Sequence, residues 1–172
     1  MRYLIVGLLT ACVLFTPDSD LYAEAPDGSP ANPAVVKELN VLFIGNSYTA
    51  RHNLVEVVGA LTKAGQPDVT MNVKSVIYGG RRLVDHWRLG TPNIVKSASV
   101  TEDEIRATAK RLQAAFDKDA KDKYAKYAAE RQRKLLQQLD ESRTIWDVII
   151  LQSYRDDLEG DPSLYAQYAP KF

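Results

Sequence analysis

The chain is poor in cysteine and histidine and has no surplus charge of either sign. Cys12 is the single thiol among 172 residues, which excludes an internal disulfide and any multi-cysteine metal site. Lys plus Arg and Asp plus Glu stand at 22 each, so no net field draws the chain to nucleic acid or to an anionic membrane surface. Histidine is limited to His52 and His86, which narrows the choice of general base. What the chain does have is 45% hydrophobic residues, enough for one compact core.

The one long apolar run comes first. Arg2 followed by YLIVGLLTACVLF has the charged start and short apolar core of a secretory signal, and it is too short to span a bilayer comfortably. Ala23 and Ala25 offer cleavage points, so residues 1–25 read as a signal peptide and the mature protein as secreted or periplasmic. Leu9-Thr10-Ala11-Cys12 resembles a lipoprotein box, but the apolar core continues through Phe15, past where that cut would fall. After cleavage no thiol and no membrane segment remain. Residues 26–38, rich in proline, read as a flexible leader to a domain over 39–172.

Val41 to Ile44 is a continuous apolar run, the pattern of a parallel strand covered on both faces. A helix follows, with Leu54, Val57, Val58 and Leu61 at helical spacing, Asn53 as its expected cap and Gly65 at its end. TMNVKSVIY then alternates as a second strand until Gly79-Gly80. Strand, helix, strand predicts an α/β fold: three layers, helices on both sides of a parallel sheet.

Residues 101–142 are rich in Ala, Lys, Gln, Glu and Arg and predict a helical insertion, opened by a Thr101/Glu104 capping box. Leu112, Phe116, Ala120 and Tyr124 suggest one apolar stripe, and Leu135, Leu136 and Leu139 a second. No heptad is sustained, so a surface helix or helical hairpin is expected instead of a coiled coil. Trp146 opens WDVIILQ, a third apolar strand. A last helix is expected near the C-terminus, with Asp161 as cap and Pro162 at its first position.

Three strands therefore end in GNS, YGG and LQS. In open parallel sheets ligands sit beyond the carboxyl ends of the strands, so these loops are expected to converge. GNSYT, GGRRLVDHW and WDVIILQ, each at a strand end and in this order, resemble the blocks of the SGNH (GDSL-like) hydrolase superfamily, over roughly Val41 to Asp157 apart from the helical middle. The resemblance implies a flavodoxin-like sheet and serine ester hydrolysis without metal or organic cofactor. Its substrate would be a small-molecule or polysaccharide ester, with acetylated carbohydrate as the natural guess.

Carried onto this chain, the resemblance makes Ser47 the nucleophile, with Gly45 and Asn46 before it. Gly80, with Gly79 as the competing choice, matches the oxyanion glycine, since a residue without a side chain lets its N–H approach a substrate oxygen. Gln152 is the nearest amide to the usual third-block asparagine. Asn46, His86 and Arg155 are candidates for substrate contact, though His86 reads first as a buried, satisfied histidine and Arg155 as a surface residue; Trp87 reads as core packing. The family's late Asp-x-x-His has no counterpart, and a serine without a positioned base is a poor nucleophile. The expectation is an N-terminal part of a longer hydrolase, nearly inactive by itself, with apolar surface left open. A noncatalytic envelope protein that binds a glycan or a protein partner is the alternative.

Overall fold

The computed structural model of the chain describes residues 37–154, 157–160 and 162–172. The segments expected as signal peptide and leader, up to residue 36, and Arg155 lie outside the described residues. Lys37 and Glu38, expected in the leader, already belong to the first strand, β1 (Lys37–Gly45). It is followed by a single turn, α1 (Ser47–Ala50), then α2 (Leu54–Gly65) and β2 (Val69–Ile77). Next come α3 (Leu83–Arg88), α4 (Thr91–Val95), α5 (Glu102–Lys118), α6 (Lys123–Gln137) and α7 (Leu139–Ser142). The third strand, β3 (Val148–Leu151), and a short helix, α8 (Leu164–Tyr168), complete the described chain.

The strands form one parallel sheet in the order β2-β1-β3, flanked by helices. This is the α/β class the sequence implies, with β1 central: Phe43 lies opposite Ser75 on one side and Ile150 on the other. Central position explains why Val41 to Ile44 are apolar without alternation, because both faces are covered and all four are buried. Leu42 and Ile44 join a core with Val76, Leu83, Leu112 and Trp146, each such burial contributing about 2 kcal/mol. At the end of the sheet β3 has only β1 beside it among the described residues, and its residues are half-buried.

Helix α2 forms where its spacing placed it, but Asn53 does not cap it. Asn53 is left-handed (φ 51, ψ 44), as is His52 (φ 53), and makes no capping hydrogen bond. The chain turns sharply here between a 3-10 turn and α2, and Asn and His tolerate that conformation better than most residues. The helix packs along β2, yet none of its residues is fully buried; Leu54, Val57 and Leu61 are exposed, Leu61 at 67%.

The insertion is a helical hairpin of α5 and α6. Thr101 and Glu104 form the expected box, Glu104 N–H donating to Thr101 Oγ1 (3.3 Å) and Thr101 N–H to Glu104 Oε2 (2.8 Å). The first apolar stripe is not continuous, because α5 ends at Lys118, Ala120 is exposed in the turn and Asp122 caps a new helix by accepting from Ala125 N–H (3.2 Å). Small residues, Ala125, Ala128 and Ala129, let α6 approach the core closely. Buried Gln132 donates to Gly90 O (3.0 Å) and accepts from Asn93 Nδ2 (2.8 Å), tying the hairpin to the turn before α4. Gln132→Ala leaves those partners unpaired in a dry setting and is expected to cost about 2 kcal/mol, checked by urea unfolding.

Two other expectations change. Trp87 is only partly buried and meets Phe172 edge to face, with centroids 6.0 Å apart. Ser163 caps α8, its Oγ accepting from Ala166 N–H (3.2 Å), so Pro162 precedes the cap; Asp161 lies outside the described residues. No helix among the described residues is long and apolar enough to cross a membrane.

Candidate active site

With the strand order 2-1-3 in a parallel sheet, β2 is laid down on one side of β1 and β3 on the other, so the winding switches sides between β1 and β3, the point at which flavodoxin-like sheets open a crevice. Ser47 follows β1 and Gln152 follows β3, so both fall at that point. Asn46 N–H donates to Gln152 Oε1 (3.2 Å), and Asn46 Nδ2 donates to Arg81 O (3.2 Å) and Ser153 O (3.5 Å). Asn46 thereby fastens the loops after all three strands to one another.

Asn46 also shapes the turn. Its backbone is extended (φ −124), its Oδ1 accepts from Tyr48 N–H (3.1 Å), and a one-turn helix begins at Ser47. Ser47 is exposed, and its hydroxyl forms no hydrogen bond to the described residues. As the first helical residue its N–H has no carbonyl four residues back to take. Gly45 makes the tight approach feasible: a Cβ there would overlap Thr49 Oγ1 and lie 3.1 Å from Gln152 Cβ.

Gly80 and Gly79 differ in why they are glycine. Gly80 has φ 65 and open space around the position of a Cβ, so its backbone conformation is what excludes a side chain. At Gly79 a Cβ would meet Tyr124 Oη at 3.2 Å, and that hydroxyl donates to Gly79 O (2.7 Å). Both glycines are exposed at the same rim as Ser47.

Gln152 is a bracket between loops. Its Oε1 accepts from Asn46 N–H and from Thr49 Oγ1 (3.1 Å), while Nε2 donates to Ser153 O. An oxyanion role would rest on its second N–H alone. Asn46, expected as a substrate contact, is fully buried, and the polar atoms of its side chain bond to protein.

His86 is likewise buried and bonded to protein. It has no exposed surface; Nε2 pairs with Gly45 O (2.9 Å) and Nδ1 with Thr91 Oγ1 (3.2 Å). Nε2 must donate to the carbonyl, which leaves Nδ1 to accept from the hydroxyl: a neutral ring. Burial pushes its pKa down to about 4, opposed by the Gly45 hydrogen bond and helped by the nearby Arg131. Of the two readings of His86, the satisfied buried histidine is what the fold contains. His52 is exposed on the left-handed turn and has no hydrogen bond to Ser47. Neither histidine is therefore placed as the serine's base.

Two contributors escaped the sequence reading. Thr49, one turn after Gly45, is buried against Gln152, and only that spacing signals it. Asp157 is fully buried; its Oδ2 accepts from Tyr154 N–H (3.0 Å) and Leu83 N–H (3.4 Å), joining the β3 loop to the start of α3. Its Oδ1 has no hydrogen-bond partner among the described residues, and no sequence pattern separates this aspartate from a surface one. Arg155 cannot be placed, being outside the described residues. Among the described residues no cluster of His, Cys, Asp or Glu is arranged to hold a metal ion. No family model, curated protein or solved structure matches the chain.

Proposed function

We propose that this chain carries the nucleophile and oxyanion portions of an SGNH-type serine ester hydrolase acting in an exported setting. The observation that carries the reading is the exposed, uncommitted Ser47 hydroxyl at the carboxyl end of the central strand, with Gly80 and Gln152 held to the same rim through Asn46. In this reading Ser47 Oγ attacks an ester carbonyl, and the N–H groups of Ser47 and Gly80 receive the oxyanion. The alcohol then leaves with a proton, and water releases the acyl group from the serine. An acylated carbohydrate is the substrate class carried by the resemblance.

The weak point of the chemistry is also its test. With His86 buried and His52 unconnected, the serine has no imidazole to take its proton, so turnover is slow. Dissolved imidazole reaches an exposed hydroxyl. Hydrolysis of 4-nitrophenyl acetate, corrected by the Ser47→Ala variant for imidazole's own reaction, is expected to rise about tenfold, below the ~10²–10⁴ of a positioned base. A Ser47-dependent rate that is zero with and without imidazole removes the hydrolase reading. The noncatalytic reading is favoured by one observation, the commitment of His86 to Gly45 and Thr91; in that case ligand binding survives Ser47→Ala unchanged.

A further inference from the structure

The turn that carries Gly80 is pinned at both ends and open in the middle. Tyr78 N–H donates to Gly45 O (3.0 Å), Arg81 O accepts from Asn46 Nδ2 (3.2 Å), and the turn closes on itself through Arg81 N–H to Tyr78 O (3.1 Å). Gly80 has φ 65 while Gly79 is not in the left-handed region, the pattern of a type II turn. A type I turn differs by rotating the central peptide through about half a circle, which reverses the Gly80 N–H and leaves both ends in place. Neither glycine has a Cβ, both are exposed, and nothing lies within 4 Å of where a Cβ on Gly80 would be, so packing at Gly80 does not hold this peptide.

A side chain from the helical insertion does hold it. Tyr124, in the first turn of α6, donates its hydroxyl to Gly79 O (2.7 Å). The same turn grips the Tyr124 ring from two other residues: buried Tyr78 meets it edge to face with centroids 5.9 Å apart, and the Arg81 guanidinium lies 4.4 Å from its centroid. In a trans peptide the C=O and N–H point in opposite directions, so fixing Gly79 O fixes the Gly80 N–H, which has no acceptor among the described residues. A hydrogen bond accepted at the carbonyl also polarises the amide and strengthens its N–H as a donor. We propose that Tyr124 is a positioning residue: its hydroxyl holds the Gly79–Gly80 peptide in one of two orientations and so sets the direction of the Gly80 N–H. That this N–H receives an oxyanion rests on the reading of Ser47 above; that the Tyr124 hydroxyl sets its direction does not.

The test reads the peptide and the chemistry separately. In the isotope-labelled full chain, NMR tells the orientations apart, because a type II turn brings a Gly79 Hα close to the Gly80 N–H and a type I turn brings the Gly79 N–H there instead. The native chain is expected to show mainly the first contact. Gly80→Ala penalises the positive φ and brings the two forms toward balance; adding Tyr124→Phe, which keeps the ring and removes the hydroxyl, is expected to shift that balance about fivefold toward the flipped form, the worth of one hydrogen bond. Tyr124→Phe alone moves the native balance in the same direction, and thermal unfolding shows that each variant remains folded. In the same chains the kcat of Ser47-dependent hydrolysis of 4-nitrophenyl acetate in imidazole is expected to follow the unflipped fraction, with KM little changed. A native chain with the flipped peptide, or a balance that Tyr124→Phe leaves unmoved in both backgrounds, overturns the proposal. A flipped peptide in chains with no Ser47-dependent rate upholds the hold of Tyr124 on the turn and ends the hydrolase reading; a Ser47-dependent rate with an unmoved peptide does the reverse.

Discussion

Acidification from pH 7 to pH 4 is expected to cost the fold about 3 kcal/mol through His86 alone. The unfolded chain binds a proton at this ring as pH falls through 6.5, whereas the folded form resists until about 4. Stability is therefore complete above the unfolded value, falls progressively between 6.5 and 4, and levels off below. Structurally, protonation puts a hydrogen on Nδ1, and the Thr91 hydroxyl that donated to it must turn away. Urea unfolding at stepped pH isolates the effect when the native chain is compared with His86→Gln, which has no group titrating there. The difference between the two is expected to be steep from pH 6.5 to 4; parallel profiles would show that His86 does not sit neutral and buried beneath the Ser47 turn.

Gly45→Ala is expected to be the most damaging single-methyl change at the site, at about 3 kcal/mol. Its Cβ would overlap Thr49 Oγ1 and press on Gln152 Cβ, and both neighbours are fixed by their mutual hydrogen bond. The carbonyl of the same residue accepts from Tyr78 N–H (3.0 Å) and from His86, so any shift of β1 to relieve the overlap disturbs both. Gly80→Ala is the informative contrast, since nothing lies near its Cβ and only the left-handed backbone is penalised, by about 1–2 kcal/mol. Adding Thr49→Ala to Gly45→Ala removes the hydroxyl overlap and is expected to restore part of the loss. Thermal unfolding of the three variants checks the order; a Gly45→Ala chain as stable as the native one would mean that the turn is looser than described.

The contrast between Gly45 and Gly80 also shows what could be read in advance. An apolar run stopping at Gly-Asn-Ser marked a strand end and an exposed serine, because burial and turn chemistry are local properties of a few residues. The reason for the glycine was not local: it is the closeness of Thr49 and of Gln152, the latter more than a hundred positions away. Helix α2 was legible from its period, but its start was not, since left-handed His52 and Asn53 reflect a turn imposed by the path from α1. In α6 the buried residues are mainly alanines and Gln132, which look like solvent-facing composition until a close neighbour is present. Asn46 and Gln152 were picked out as polar groups at strand ends, and rightly placed together, but as fasteners between loops their polar atoms face protein.

The most direct measurement is the destination of a fluorophosphonate. Incubated with the full chain in imidazole buffer, digested and read by mass spectrometry, the phosphonyl group should sit on Ser47, with labelling lost in Ser47→Ala. Adducts spread over other exposed hydroxyls, or a Ser47 that stays unmodified in imidazole, would contradict a nucleophile mounted at the end of the central strand.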